Sequence, residues 1–116
     1  MSTAREQGPS SADSFVACDV RELVRQIGVW NIGAISGGRV IMRETGITLP
    51  VSNGYRVMVD LDANDTYVVR RVFKRRVAGQ VKVWIKGEQR NVFFDEVGEV
   101  AYQASCFRNG PWGHPA

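Results

Sequence analysis

The sequence predicts an α+β fold in which one antiparallel sheet of four to six strands carries an N-terminal and a C-terminal helix on one face. Apolar residues recur at helical spacing near both ends of the chain. Between these segments, apolar residues alternate with polar ones at strand spacing, and Gly, Asn and Asp separate the alternating runs. Because each helix has only one apolar side, a single apolar sheet face must cover both.

The length of 116 residues suits one domain with a two-layer core. Residues 1–14 are small and polar and are expected to be disordered, residues 15–109 to form the domain, and residues 110–116 to form a flexible tail rich in Gly and Pro. No apolar run reaches the roughly 18 to 20 residues that span a bilayer, and the N-terminus lacks a signal-peptide pattern. We therefore expect a cytoplasmic protein that does not contact membranes.

The first predicted element is a short amphipathic helix. Asp19 stands as N-cap with Glu22 three residues later, which is the pattern of a capping box. Gly28 is placed to end the helix in a left-handed conformation. The apolar side of this helix comprises Val20, Leu23, Val24 and Ile27.

Two strands are predicted next, at residues 30–36 and 39–44, joined by a hairpin turn at Gly37-Gly38. Residues 47–51 add a short edge strand, because Pro50 cannot donate to a central ladder.

The clearest strand signal lies at residues 55–61, which alternate without a break. A turn follows at residues 62–65, and residues 66–73 return as a strand rich in β-branched side chains. The run Val-Val-Arg-Arg at residues 68–71 breaks the alternation, so we expect either a β-bulge or two partly covered faces there. The last strands are predicted at residues 81–86 and 92–94.

The closing helix is predicted to start at an Asp95 cap. Gly98 should weaken this helix by roughly 1 kcal/mol relative to alanine. Its apolar face comprises Val97, Val100, Ala101, Ala104 and Phe107.

No pattern in the chain identifies a reaction. The glycines of residues 33–39 lack the Lys-Ser/Thr pair and the following helix of a phosphate loop, and the acids of residues 60–65 are explained by a turn. Cys18 and Cys106 are far apart in sequence, and the single histidine, His114, lies in the tail, so neither a zinc site nor an activated thiol is indicated. We expect no cofactor, no metal and no enzymatic activity.

The functional signal is a concentration of positive charge. Residues 70–90 contain eight lysines and arginines against the single acid Glu88, a net charge of +7, whereas the rest of the chain sums to −4. In the strand at residues 81–86, alternation places Lys82, Trp84 and Lys86 on one face, which we expect the helices to leave open. The candidate nucleic-acid-binding residues are Arg56, Arg70, Arg71, Lys74, Arg75, Arg76, Lys82, Trp84 and Lys86.

Cations beside an exposed aromatic ring are the chemistry that binds single-stranded nucleic acid, because the cations neutralise phosphates and the ring stacks on bases. Two other readings of this basic surface stay open. A basic hairpin can simply protect a sheet edge against aggregation, and Trp84 can be covered by the tail or by a loop.

Five segments of the chain carry a family resemblance: residues 35–40 (ISGGRV), 49–50 (LP), 64–69 (NDTYVV), 83–88 (VWIKGE) and 95–102 (DEVGEVAY). With these segments the chain resembles a family of small uncharacterised proteins of actinobacterial bacteriophages and prophages, over roughly residues 20 to 109. The resemblance implies a mobile-element setting and a bacterial host cytoplasm, and it carries over no catalytic or binding residue.

In that setting the sequence favours an accessory phage protein that binds nucleic acid, single-stranded or with little sequence preference. The alternatives are a modulator or inhibitor that docks on an acidic host protein through the basic hairpin, and a minor structural component of the virion. The oligomeric state is open.

Overall fold

The computed structural model describes residues 14–106, which form three helices and one five-stranded antiparallel sheet. The helices are α1 (Val20–Ile27), α2 (Val29–Ser36) and α3 (Val97–Cys106). The strands, which are neighbours in the sheet in chain order, are β1 (Ile41–Met42), β2 (Gly46–Pro50), β3 (Tyr55–Leu61), β4 (Tyr67–Val77) and β5 (Gln80–Val92). The predicted α+β class is confirmed, with two helices rather than one near the N-terminus.

The boundaries of the domain can be compared with the prediction only in part. Ser14, expected to be disordered, accepts a hydrogen bond from the Ala63 N–H at 2.9 Å, and its hydroxyl donates to Asp62. The rest of the predicted N-terminal segment, residues 1–13, lies outside the described residues. So do Phe107, residues 108–109 and the predicted tail at residues 110–116.

Helix α1 forms as the sequence predicts. The Asp19 carboxylate accepts a hydrogen bond from the Glu22 N–H at 3.2 Å, and Leu23 and Ile27 are buried. Gly28 ends the helix at φ 94° and ψ 145°, so its φ is positive but the residue is not left-handed helical as expected. This backbone conformation favours glycine, and it turns the chain directly into α2.

The hairpin predicted over residues 30–36 and 39–44 is wrong, because residues 29–36 form helix α2. Gly37, expected in a hairpin turn, is the left-handed C-cap of this helix at φ 65°, and its N–H donates to the Gly33 carbonyl at 2.9 Å. A short apolar run without charges has no periodicity that separates strand from helix. Only Ile41–Met42 remains as a strand, and it forms the edge of the sheet.

Three of the remaining strands differ from their predicted extents. Residues 55–61 form β3 as predicted, but β2 pairs on both sides and is not an edge strand. Strand β4 runs four residues beyond the predicted end at residue 73. The two last predicted strands are one strand, β5, joined to β4 by a tight turn at Ala78 and Gly79, whose φ angles are 52° and 81°.

The helices pack on one face of the sheet and enclose the core between the two layers. Helix α3 begins directly after Glu96, so Asp95 is not its N-cap. The Glu96 carbonyl accepts the Val100 N–H at 3.0 Å, and its carboxylate accepts the Phe93 N–H at 3.1 Å. The sheet residues of the core are Ile47, Leu49, Val57, Val59, Tyr67, Val69 and Val92.

Candidate nucleic-acid interface

Two irregularities in the pairing of β4 with β5 decide where the basic side chains lie. Arg71 pairs with Gly87 but Val72 pairs with Ile85, so Lys86 is an extra residue in β5. A second extra residue of β5 lies opposite Val68. The sequence predicted either a bulge or two partly covered faces at residues 68–71. The structure shows both, because the extra residues lie on the partner strand and Val68 and Val69 are each buried on opposite faces.

The bulge at Lys86 reverses the side of the sheet on which Trp84 lies. With regular pairing beyond Gly87, Ile85 would lie opposite Phe73, and Trp84 would occupy the face away from the helices. Instead Trp84 pairs with Phe73, which in turn pairs with Tyr55 on the helix side of the sheet. The predicted open face that combines Arg56 with Lys82 and Trp84 is therefore wrong.

Trp84 is nevertheless accessible, because the hairpin extends beyond the area that the helices cover. Every residue from 74 to 86 is exposed, and Trp84 keeps 40% of its surface accessible. We call residues 72–87 the basic ribbon. It contains five cations and no acid. Within residues 14–106, no carboxylate forms an ion pair with any of the five, which are Lys74, Arg75, Arg76, Lys82 and Lys86.

The two faces of the basic ribbon differ in chemistry. Cross-strand partners share a face, so the pairs Phe73 with Trp84 and Arg75 with Lys82 lie on the helix side. We call this side the aromatic face. The opposite side, the aliphatic face, carries two cations and three exposed apolar side chains: Lys74, Arg76, Val81, Val83 and Ile85.

Three stacked rings support the aromatic face. The ring centroids of Phe73 and Trp84 are 5.6 Å apart, and those of Tyr55 and Phe73 are 4.8 Å apart. Tilted pairs at such distances are favourable beyond the area they bury. The stack anchors Trp84 to the covered part of the sheet and leaves its outer surface exposed.

Arg71, a predicted binding residue, lies inside the protein. Its side chain is buried, its Nη1 donates to the Ala104 carbonyl at 2.6 Å, and its guanidinium carbon is 4.3 Å from the Tyr55 ring centroid. A guanidinium over an aromatic face is a favourable cation–π arrangement. Arg71 thus ties the end of α3 to the sheet and is not part of the exposed surface.

Arg70 and Arg56 also lie outside the basic ribbon. The Arg70 Nε donates to a Glu88 carboxylate oxygen at 2.8 Å, and its guanidinium carbon is 5.1 Å from the Phe15 ring centroid. Arg56 shares the face away from the helices with Met58. Of the nine predicted residues, the structure brings together the six on the ribbon and separates these three.

The sheet face away from the helices is not an open, cationic surface. Asp60 is only 2% exposed there, and its carboxylate accepts from Arg43 Nη1 at 2.7 Å and from the Thr45 hydroxyl at 2.6 Å. Val68 and Val72 on the same face are also buried. The centre of this face therefore holds a buried carboxylate whose hydrogen bonds are made within the protein.

Two titratable groups away from the ribbon have shifted pKa values. Burial, followed by the charge of Cys18, raises the pKa of Tyr67 from 10.0 to about 12, and the Tyr67 hydroxyl donates to Gln26 Oε1 at 2.7 Å. Burial, followed by the negative charge of Asp19, raises the pKa of the Cys18 thiol. Both groups belong to the packing of α1 against the sheet.

Residues 14–106 contain no group of three or more His, Cys, Asp and Glu side chains that could hold a metal ion. None of the helices among them is both long and apolar enough to cross a membrane.

Comparisons with known proteins gave no match. No protein-family model matches the chain, and no curated protein or solved structure shows significant similarity to it. The resemblance to actinobacterial phage proteins stays a prediction from the sequence.

Proposed function

We propose that this protein is a non-enzymatic binding module of a bacteriophage or prophage, and that it binds nucleic acid through the basic ribbon in the bacterial cytoplasm. One observation carries the proposal: residues 74–86 of the ribbon are all exposed and contain five cations, no acid and an accessible tryptophan. A concentrated positive field of this kind attracts polyanions and is strengthened where no neighbouring carboxylate neutralises it.

The aromatic face favours single-stranded nucleic acid. Trp84 offers a ring surface to an unpaired base, and each such stack is worth about 1 to 3 kcal/mol. Arg75 and Lys82 are the next cross-strand pair beyond that ring on the same face and can meet the backbone phosphates next to the stacked base. The platform is therefore Arg75, Lys82 and Trp84, in place of the combination with Arg56 that the sequence suggested.

The test is a titration of a labelled single-stranded oligonucleotide over a range of salt concentrations. Affinity should fall with salt, with a slope of about 0.7 per phosphate contacted. The double variant Arg75→Glu/Lys82→Glu should lose most of the binding. Its matched control is Lys74→Glu/Arg76→Glu, which changes the net charge equally on the aliphatic face and should lose less.

Two results would contradict the proposal. If the wild-type protein at about 0.1 mM does not bind the oligonucleotide at low salt, the proposal is wrong, because non-specific binding is strongest at low salt. Equal losses in the two double variants would show that only the total charge matters and that the aromatic face is not the platform.

A second candidate function rests on the aliphatic face. Val81, Val83 and Ile85 are all exposed in β5, which among the described residues pairs only with β4. An edge strand with free backbone groups and apolar side chains can accept a strand from another protein. An acidic host protein would also form ion pairs with the five cations of the ribbon. Capture of such a protein from bacterial lysate should survive nuclease treatment and be lost in Val83→Thr/Ile85→Thr.

A further inference from the structure

Helix α2 has an exposed apolar side that nothing in the described chain covers. The helix contains no charged residue, and Ile32, Ile35 and Ser36 occupy its side toward the core. On the opposite side Trp30 is 89% exposed, and Val29 next to it is 77% exposed. Large apolar side chains exposed together on one surface are typical of interaction sites. The exposed side of α2 therefore points to an interface.

A groove lies beside this exposed side. It has a volume of about 730 Å³ and runs between α1 and α2, with Val24, Val29 and Ile32 among its apolar lining residues. Gly33 also lines it, and a methyl group at Gly33 would meet no atom within 4 Å. The groove thus has room for a large apolar side chain from outside.

Trp30 and the groove lie next to each other on one surface of the protein. Successive residues of a helix are rotated by about 100°, so Trp30 projects outward next to the line of Val29, Gly33 and Gly37 that forms the groove wall. A surface with an adjacent knob and hole can pair with a copy of itself about a two-fold axis. We propose that the protein forms a symmetric dimer in which Trp30 of each copy enters the α1–α2 groove of the other.

The charge around the groove fits this occupant. Arg21 and Arg25 on α1 line the groove together with the apolar residues, and both are exposed. Guanidinium groups stack favourably on an indole ring, which is the best aromatic partner for a cation. An incoming tryptophan brings no charge of its own, so it fits a groove that combines an apolar floor with cations at its edge.

The area is in the range that a weak specific dimer needs. Each aromatic side chain buries about 150 to 250 Å² on insertion and covers a comparable area of groove wall. Two insertions, together with the contact between the two α2 helices at Val29 and Ala34, approach the roughly 1,000 Å² of a specific interface. The basic ribbon takes no part in this contact. A monomeric protein could therefore still bind nucleic acid, and a dimeric protein could fail to bind it.

Sedimentation equilibrium over a range of concentrations tests the dimer. The wild-type protein should dissociate reversibly from dimer to monomer on dilution, and Trp30→Ala should remain monomeric. Gly33→Leu should also remain monomeric, because leucine fills the groove, and it should melt no lower than wild type, because leucine favours helix over glycine. The matched control is Trp84→Leu, which removes the exposed tryptophan of the ribbon and should still dimerise.

Fluorescence identifies what contacts Trp30. In a Trp84→Phe/Trp112→Phe background, Trp30 is the only tryptophan, and its emission should shift to shorter wavelength as concentration rises. A wild-type protein that stays monomeric would overturn the proposal, as would a dimer that survives both Trp30→Ala and Gly33→Leu. Short-wavelength emission at a concentration where sedimentation shows only monomer would overturn it too, because the chain would then cover Trp30 itself.

Discussion

Phe73 and Trp84 lie directly opposite each other on β4 and β5, with ring centroids 5.6 Å apart and ring planes inclined by 33°. The pairing places Trp84 on the same side of the sheet as the three helices, although the ring extends past the area they cover. Side chains on this side of the ribbon therefore combine an anchored aromatic surface with Arg75 and Lys82. The position of Trp84 follows from one bulged residue, Lys86.

Deletion of Lys86 tests whether the bulge at this residue places Trp84 opposite Phe73. The observed register needs Lys86 as an extra residue, so its removal should make the ladder regular and keep the contact between Phe73 and Trp84. Nuclear Overhauser effects between the two rings should therefore be present in both the wild-type protein and the variant. If they appear only after the deletion, the wild-type strands pair without a bulge and Trp84 lies on the other face.

Trp84 should contribute to binding through its ring. Trp84→Ala should weaken the binding of a single-stranded oligonucleotide by about 1 to 3 kcal/mol, because the stack with one base is lost. Trp84→Phe should retain most of the affinity. Trp30→Ala serves as a control that removes a more exposed indole from a different surface. An equal loss in the Trp30 variant would assign the effect to something other than stacking on the ribbon.

The sequence predicted the elements whose signals are local. Residues 55–61 alternate cleanly and form β3, and the Asp19 cap and the 3.6-residue spacing define α1. Helix α2 was missed because an uncharged apolar run has no polar side to reveal its period. The signal that could have found it is a pair of glycines, Gly28 and Gly37, eight residues of helix apart.

The candidate site was harder to predict, because its geometry depends on partners distant in the chain. The charge of the ribbon is visible in the composition of residues 70–90. Which residue of β5 is bulged depends on its pairing with β4, and no property of β5 alone specifies it. Arg71 is buried because the C-terminal end of α3 supplies the Ala104 carbonyl, and this contact joins residues 33 positions apart.

Asp60 should be among the most sensitive positions for stability. Its carboxylate is buried and accepts from Arg43 and Thr45, so Asp60→Ala leaves the Arg43 guanidinium without its ionic partner. Breaking a buried pair in this way costs roughly 3 to 5 kcal/mol. The control is Glu22→Ala, which removes the exposed ion pair with Arg25 and should cost less than about 1 kcal/mol. Urea unfolding of both variants compares the costs, and similar values would contradict the expectation.

The two interior helical glycines should respond to alanine in opposite directions. A methyl group at Gly98 would lie 2.6 Å from the Ile27 carbonyl oxygen and 2.8 Å from the Asn31 Nδ2. Because that carbonyl is backbone, it cannot move aside easily, and overpacking of this kind costs about 1 to 3 kcal/mol. Gly98 is therefore needed for the approach of α3 to the end of α1, which outweighs its low helix propensity.

Gly33 provides the matched comparison, because it is also helical but faces open space. Gly33→Ala should stabilise the protein by up to about 1 kcal/mol, as expected from helix propensity alone. Thermal melts should thus place Gly98→Ala below the wild-type protein and Gly33→Ala at or above it. Stabilisation by both substitutions would show that α3 does not approach α1 as closely as described.

Tyr67 should make stability depend on pH in the alkaline range. Its pKa in the folded protein is about 12, against 10.0 for an unperturbed tyrosine, because burial disfavours the phenolate and the negative charge of Cys18 disfavours it further. Below pH 10 both states keep the proton, and the contribution of Tyr67 to stability is fully present. Between pH 10 and 12 only the unfolded state loses its proton, so the free energy of unfolding decreases as pH rises.

Comparison with Tyr67→Phe isolates this effect, because lysines and other tyrosines titrate in the same range. The variant cannot ionise at this position and should show a shallower loss of stability from pH 10 to 12 in urea unfolding. The stability difference between the two proteins should be constant below that interval and change within it in favour of the variant. Parallel pH profiles would mean that the Tyr67 hydroxyl ionises as readily in the folded protein as in the unfolded chain, contrary to its burial against Gln26.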